Sequence, residues 1–352
     1  MKHTKHTRLD VSGLGWAVPG AIALALAGCG GGGGDGGGSP TPAVTLAITA
    51  GNVDSVAHST TAGILAMSPV QTLPLAAQGA AALGAGPRAG ARHPAWLARV
   101  VAAAWPAGAG KAPAAAARRA RPLSIVGPFT EPCFVSGTLT TTFNDVDNNA
   151  EPSAGDVLTM DFDACQDSAD ETVDGVATAT FTEIGASSLR ARLTMSQLSD
   201  STALHSTKIN GAVLLEYEMP SSVRDITRLT ADGPVSADIS THLPYADKVT
   251  LRSGFVQEVS YDATSGTATI SANGILDSME AGGSVEVNTP PGALFVLPDS
   301  ANYPTSGTLE VRGRTGTLVM TALAGEKVRL DLDADDNGVA ESSQTQTWDW
   351  LF

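Results

Sequence analysis

Hydrophobic and polar residues alternate with a period of two along most of the chain after Phe129. In each of these runs the apolar residues fall on one face of an extended strand and polar residues on the other. The one-face sets are Leu158, Met160 and Phe162; Leu189, Ala191, Leu193 and Met195; Val213, Leu215, Tyr217 and Met219; and Val328, Leu330 and Leu332. One-sided alternation indicates antiparallel strands with one buried and one wet face.

Turn dipeptides separate the runs at hairpin spacing. They are Asp174-Gly175, Asn210-Gly211, Asp232-Gly233, Ser265-Gly266, Asn273-Gly274 and Asn337-Gly338. Such pairs adopt positive φ at low cost, as tight hairpins require. A strongly twisted sheet of many strands curls or splits. We therefore predict a mainly β domain over 123–352, a large antiparallel meander that curls into a half-barrel or barrel, with a sandwich as the alternative.

Helical spacing occurs in the region before this domain, over 44–122. Residues 44–67 place Val53, Val56, Ala57, Ile64 and Leu65 at the period of a short helix, with Asn52 as its N-cap. A second helical stripe runs from Trp96 to Trp105, with Pro94 near its first turn. The rest of 73–122 is rich in Ala, Gly, Pro and Arg, and we expect it to be disordered.

The N-terminal residues have the order of a secretory signal over 1–28. Lys2, Lys5 and Arg8 precede an apolar run that ends at Leu26, and small residues follow. The stretch Leu26-Ala27-Gly28-Cys29 resembles the lipobox of bacterial lipoproteins. This resemblance implies that Cys29 becomes the N-terminus and carries a thioether-linked diacylglycerol and an amide-linked acyl chain.

The glycine-rich stretch 29–43 would then be a flexible tether between the lipid and the folded domain. Gly30 stands after the cysteine, where enterobacterial lipoproteins retained at the inner membrane have Asp. By analogy we expect a lipid-anchored protein of the cell envelope, sorted to the outer membrane.

Charge is distributed unevenly along the chain. Of 21 Lys and Arg residues ten precede residue 123, whereas only three of 36 Asp and Glu residues do, so 123–352 carries 11 − 33 = −22. Such an acidic domain repels phosphate backbones, and we expect no nucleic-acid partner. Conversely, 87–122 is basic without acidic residues, which fits either a segment lying on an anionic membrane or a poorly ordered insertion.

Assigning Cys29 to the anchor leaves Cys133 and Cys165 as one pair. In an exported protein this pair predicts a disulfide. The alternative, a zinc site, is poorly supported because neither thiol belongs to a CxxC motif or has an adjacent histidine.

Two acidic loops have oxygen ligands at alternate positions, as calcium loops do. The first offers Asp145, Asp147, Asn149 and Asp156, with Ala150 in place of the glycine at the sixth position. The second offers Asp333, Asp335, Asn337, Val339 and Glu341, with Gly338 at the sixth position and Gln344 where a bidentate Glu is expected. Either the loops bind Ca²⁺, or Asp and Asn are present because they tolerate tight turns.

Catalytic motifs are missing from the sequence. It contains no GxSxG, HExxH, Walker or dinucleotide-binding motif. His205 and His242 have Ser and Asp nearby, but such neighbours are expected in a chain rich in both, so we name no catalytic residue.

A second resemblance covers most of 129–351. Tyr303 to Leu309, Arg312 to Gly316, Ser153 to Asp156, and Phe162 to Cys165 followed by Asp174-Gly175 resemble secreted or lipid-anchored proteobacterial proteins of unassigned activity. This resemblance implies an envelope-associated β-protein and no particular reaction.

The favoured function is therefore a membrane-anchored binding or scaffold module. Its partner would be an envelope protein or an apolar ligand, the latter held in a concave groove lined by residues such as Phe181, Tyr217 and Phe255. The alternative is an envelope hydrolase that acts on glycans through a carboxylate pair.

Overall fold

The computed structural model describes residues 44–67, 125–149, 152–168, 171–185, 187–202, 205–241 and 245–351. All of them belong to one compact unit, Pro42–Phe352. The predicted signal over 1–28, the anchor Cys29, the tether over 29–43 and the second helical stripe lie outside the described residues.

The described chain is mainly β-strand, with helix α1 (Val53–Ala66) near its start and a 3-10 helix (Trp348–Leu351) at its end. The first strands are β1 (Ile125–Pro132), β2 (Ser136–Asn144), β3 (Val157–Ser168), β4 (Glu171–Ile184), β5 (Ser188–Thr202), β6 (His205–Ser221), β7 (Arg224–Ala231), β8 (Val235–Thr241) and β9 (Ala246–Leu251). They are followed by β10 (Val256–Asp262), β11 (Thr267–Ser278), β12 (Gly283–Asn288), β13 (Phe295–Pro298), β14 (Thr308–Arg312), β15 (Thr317–Leu323), β16 (Lys327–Asp333) and β17 (Ser342–Thr347). The predicted mainly β class is confirmed.

Strands β1 to β6 form a meander in which each pairs antiparallel with the next. The order then changes, because the long strand β6 pairs with β7 along one part and with β8 along another. Strand β7 continues to β10 and β11, while β8 continues to β9, which also pairs with β11. Six strands therefore close into a ring, β6-β7-β10-β11-β9-β8, and the predicted curling is confirmed.

The sheet continues beyond the ring on the side of β11. Strand β12 pairs with β11 and β14, and β14 to β17 follow as antiparallel neighbours. The alternating residues face the core as predicted, since Met160, Leu193, Leu215 and Leu330 are each at most 2% exposed. Burial of one face therefore sets the register of these strands.

Helix α1 is the predicted first helix, and it packs against the sheet. Asn52 precedes it, but its side chain is used elsewhere: Oδ1 accepts the Thr49 amide (2.8 Å) and Nδ2 donates to the Ala47 carbonyl (2.9 Å). A Cβ at Gly63 would collide with Leu276 on β11, so a glycine permits the close approach of helix and sheet. The predicted boundary at 122 thus separates α1 from the sheet in sequence but not in space.

Three of the predicted turn dipeptides are not turns. Asp174-Gly175 lies inside β4, Asn210-Gly211 inside β6 and Asn273-Gly274 inside β11. The glycines have positive φ, as predicted, but use it where a strand bulges or changes partner. The prediction of hairpins at these places was wrong. A glycine with positive φ occurs both in bulges and in turns, so the dipeptide alone does not distinguish the two.

Candidate functional site

The first acidic loop, 145–156, connects β2 to β3 and brings three predicted ligands together. Carboxylate oxygens of Asp145, Asp147 and Asp156 lie within 4.8 Å of one another. Asp145 and Asp156 are buried, at 3% and 0% exposure, whereas Asp147 is exposed. The loop therefore gathers negative charge at the surface end of two strands.

Loop donors satisfy these carboxylates. Asp156 accepts the amides of Val146 (2.8 Å) and Ser153 (2.7 Å). Asp147 accepts the Ser153 hydroxyl (3.0 Å) and the Asn149 side-chain amide (2.9 Å). Desolvation raises the pKa of Asp147, but these hydrogen bonds outweigh it and hold that pKa below its ordinary value. The Asn149 amide group is thus engaged within the loop.

The second acidic loop, 333–341, connects β16 to β17. Oxygens of Asp333, Asp335 and Glu341 lie within 4.8 Å of one another. Asp333 accepts the amides of Asn337 (3.1 Å) and Gly338 (2.7 Å), and Glu341 accepts the amide of Ala334 (2.6 Å). Three predicted ligands are again adjacent.

The two loops share a backbone geometry that the sequence pattern only suggested. In each, the residue at the fourth position has positive φ, 56° at Asn148 and 58° at Asp336. The amide of the fifth residue then donates to the carboxylates at the first and third positions. Of the other predicted ligands, Asn337 Oδ1 accepts the amide of Val339, whose side chain is 66% exposed.

Both interpretations of the loops use these contacts. Hard oxygen ligands at alternate positions suit Ca²⁺, which takes six to eight oxygens. The same carboxylates also cap backbone amides, as Asp and Asn do in tight turns. Calcium binding therefore stays a prediction.

A polar cleft of about 420 Å³ lies across strands β2 to β6. Its lining residues are mostly polar: Thr138, Thr140, Asp161, Phe162, Asp163, Asp174, Gly175, Gln197, Ser199 and Lys208. Within the described part of the chain, the side chains of Asp161, Asp163 and Lys208 make no hydrogen bond or ion pair, although most other basic residues of the sheet are ion-paired. The cleft thus presents charged groups of both signs to solvent.

Bulges give this surface its shape. The pairing register shifts at Gly137 in β2, at Ala164 in β3, at Gly175 in β4 and at Gln197 in β5. All four residues have positive φ. A bulge bends its strand and increases the local twist, so four neighbouring bulges bend this part of the sheet.

The bulges interlock through close backbone contacts. A Cβ at Gly137 would collide with the carbonyl of Ala164, and one at Gly175 with the carbonyl of Gln197. Asn210 Oδ1 accepts both the backbone amide (2.8 Å) and the side-chain amide (2.9 Å) of Gln197. These contacts hold the cleft floor in one conformation.

Sequence reasoning missed the cleft. Its acids were predicted to face water, because Asp161 and Asp163 alternate with the buried residues Met160 and Phe162. Alternation reports which face a residue occupies, but not whether that face is concave. The sequence did contain one indication of a bulge, the glycine Gly137 within a strand. A single glycine, however, does not show which neighbouring strand bulges beside it.

The predicted apolar groove is not formed by the residues named for it. Phe181, Tyr217 and Phe255 are 6%, 5% and 0% exposed and belong to the continuous hydrophobic core. The one-sided alternation that made them candidates for a groove is also what packs them inward. The expectation of an apolar ligand therefore has no support from these residues.

Of the two histidines considered for a triad, His205 is described, and it forms no triad with the described residues. His205 Nδ1 lies 3.0 Å from the Thr202 hydroxyl, but its Nε2 lies 3.8 Å from Asp200, beyond hydrogen-bond distance. His242 lies outside the described residues.

A buried polar network joins α1 to the sheet. The Ser278 hydroxyl donates to Asp247 (2.7 Å), and Ser59 Oγ lies 2.8 Å from Ser278 Oγ and 3.1 Å from the Tyr245 hydroxyl. Ser59, Asp247 and Ser278 are at most 6% exposed. The network therefore fixes the helix on the sheet and is closed to a substrate.

His58 extends this network toward the C-terminus. Its ring stacks on Tyr245 at 5.0 Å and lies 4.4 Å from the ring of Trp350. Its Nδ1 is buried and has no hydrogen-bond partner among the described residues. Desolvation lowers the pKa of His58, since a charged ring would lose its hydration here.

The predicted disulfide is confirmed. Cys133 and Cys165 are bonded, with their Cα atoms 5.5 Å apart. The bond joins the β1–β2 connection to the bulge in β3, beside the cleft. Val135 donates its amide to Gln166 (2.8 Å) and extends this connection.

No family model, curated protein or solved structure matches this chain. Among the described residues, the helices are too short to cross a membrane. Function must therefore be argued from the residues of the chain itself.

Proposed function

We propose that this chain is a lipid-anchored protein of the bacterial cell envelope, sorted to the outer membrane, and that its β domain is a binding or scaffold module. The observation that carries the binding role is the polar cleft across β2 to β6. The side chains of Asp161, Asp163 and Lys208 have no partners among the described residues, so their hydrogen-bonding capacity is available to a ligand or an envelope protein.

Export and anchoring are supported by two features. The lipobox-like Leu26-Ala27-Gly28-Cys29 supports lipid attachment. The bond between Cys133 and Cys165 supports an oxidising compartment, where disulfides persist. Two or more acyl chains on Cys29 would hold the protein durably, since each buried CH₂ contributes about 0.8 kcal/mol.

Replacing the anchor tests the location. We expect the Cys29→Ser variant to leave the membrane fraction and to lose the mass of its acyl chains in intact-protein mass spectrometry. Unchanged membrane retention of this variant would refute the anchor. The Cys133→Ser and Cys165→Ser double variant is the control, because it removes two cysteines and leaves the lipobox intact.

The cleft offers acceptors and donors on one rigid surface. Asp161 and Asp163 are exposed carboxylates on β3, and Lys208 projects an ammonium group from β6. Charged groups strengthen hydrogen bonds to a polar ligand. Because three carboxylates outnumber the single lysine, hydroxyl-rich or cationic ligands suit the cleft better than anionic ones.

Native mass spectrometry of the detergent-extracted protein tests the binding role. We expect a co-purified mass on the wild-type protein that is lost from the Asp161→Asn, Asp163→Asn double variant. The matched control is Glu218→Gln, which neutralises an exposed carboxylate of β6 outside the cleft. If no mass copurifies, or if all three proteins retain it equally, the cleft is not the binding surface.

The alternative function is a glycan hydrolase. The observation that favours it is that Asp161, Asp163 and Asp174 line one cleft, because glycosidases use a carboxylate pair that flanks the scissile bond. We would measure release of reducing ends from purified cell-wall glycan, with Asp161→Asn, Asp163→Asn and Asp174→Asn as variants. No release by the wild-type protein removes this alternative.

A further inference from the structure

Strands β1 and β17 end the sheet, and each has one strand partner among the described residues. The two differ in how they are protected. Pro128 and Pro132 interrupt β1, and its register shifts between Val126 and Phe129. By contrast, β17 pairs with β16 from Ser342 to Thr347 without a shift. Only β1 therefore carries the features that discourage another strand from pairing.

The open edge of β17 can be assigned residue by residue. The amide of Trp348 donates to the carbonyl of Glu326 on the β16 side (3.0 Å). In an antiparallel ladder alternate residues bond to one neighbour, so Ser343, Thr345 and Thr347 direct their N–H and C=O groups away from β16. All three are exposed. They form a row of backbone donors and acceptors at the surface.

The composition of β17 suits a second copy of the same strand. Its sequence is Ser-Ser-Gln-Thr-Gln-Thr, without charge and without proline, in a region whose net charge is 11 − 33 = −22. Most of the acidic surface repels a second copy, because like charges placed opposite each other are destabilising. This edge lacks that repulsion.

The strand is also self-complementary. In an antiparallel pair centred on Thr345, that residue faces its own equivalent, and Ser343 faces Thr347 of the partner subunit. The outward-bonding residues of one copy thus meet the outward-bonding residues of the other, and each such pair exchanges two backbone hydrogen bonds. Glu341 would face Asp349 of the partner subunit, so charge repulsion limits the pairing to the strand itself.

We propose that β17 is a docking strand for a second copy of this chain. The copy adds its own β17 antiparallel to the first, and the two sheets join across a two-fold axis. Such an interface uses the same surface on both molecules, as closed dimers do. Backbone hydrogen bonds supply the attraction, and the absence of charge on β17 permits the approach.

Sedimentation equilibrium of the detergent-solubilised full chain tests the proposal. We expect a concentration-dependent dimer and, for Thr345→Pro, a dissociation constant raised at least tenfold. Proline removes an outward amide that β16 does not use, so the fold is retained. The charge variant Thr345→Lys has the same effect, because it places like charges face to face. The control Thr130→Lys on β1 leaves the dissociation constant unchanged.

Cross-linking gives a second measurement that does not depend on how the proline variant folds. Residues that exchange backbone bonds across an antiparallel pair have Cα atoms about 5.5 Å apart, within the range of a disulfide. We expect Thr345→Cys to form a covalent dimer at concentrations where Thr130→Cys does not. A wild-type protein that is monomeric at every concentration, or equal cross-linking of the two variants, would overturn the proposal.

Discussion

Gly175 lies at the bulge in β4, on the floor of the cleft, where a larger residue would not fit. Its φ is 105°, and a Cβ there would collide with the carbonyl of Gln197 on β5. Alanine in a left-handed conformation costs about 1–2 kcal/mol. Forcing an extra atom into a packed site adds about 1–3 kcal/mol. We therefore expect Gly175→Ala to lower the free energy of unfolding by about 2–5 kcal/mol.

The matched control is Gly233→Ala, in the turn between β7 and β8. Gly233 has a similar φ of 93°, but a Cβ there meets no atom within 4 Å. The free energy of unfolding of this variant should fall only by the conformational cost, about 1–2 kcal/mol. Urea unfolding of both variants, with midpoints compared at equal slopes, isolates the contact with Gln197. Equal losses in the two variants would refute the reasoning that the bulges interlock.

Three further predictions concern the disulfide, the partly buried His58 and the acidic loops. Replacing Cys133 and Cys165 with serine should cost about 3–4 kcal/mol, measured by the same unfolding assay, because the unfolded chain loses a cross-link that spans 32 residues. Below the ordinary histidine pKa of about 6.5, the unfolded chain takes up a proton that folded His58 resists, so stability should fall as the pH drops through this range. The His58→Phe variant should lose this part of the pH dependence, and identical pH profiles would contradict it. Millimolar calcium should raise the melting temperature of the wild-type protein but not that of the Asp147→Asn, Asp335→Asn double variant. If calcium does not shift the melting temperature of the wild-type protein, calcium binding is excluded and the loops are tight turns only.

The sequence predicted the strands well. When one face of a strand is buried, apolar and polar residues alternate along it, and this alternation can be read from a single sequence. Leu330 and Leu332 alternate with charged neighbours and are buried as expected. Ring closure was predicted only in outline, since the switch of β6 from β7 to β8 depends on long-range pairing. Gly211 lies at this switch, but its sequence context, Asn-Gly, is the same as that of a hairpin turn.

The acidic loops were easier to recognise than the cleft. Asp333 and Asp335 lie close together in sequence, so their spacing already implied that their oxygens converge. Asp161 and Lys208 come from strands that are distant in sequence, and only the bulged sheet places them on one concave surface. Nothing in the sequence indicated that the ring of His58 contacts that of Trp350, because this contact joins the two ends of the described chain.

The position of the segment around α1 also constrains the order in which this protein can fold. Thr45 bonds to Ser284, 239 residues later, and Gln344 donates to Asp54 across 290 residues. Contacts of such sequence separation form slowly, because a long loop must close before they contribute. The contact between α1 and β17 therefore cannot form until the last strand has been synthesised. Strands β1 to β6 can pair earlier, because each contacts the next along the chain, so the two ends of the described chain are joined last.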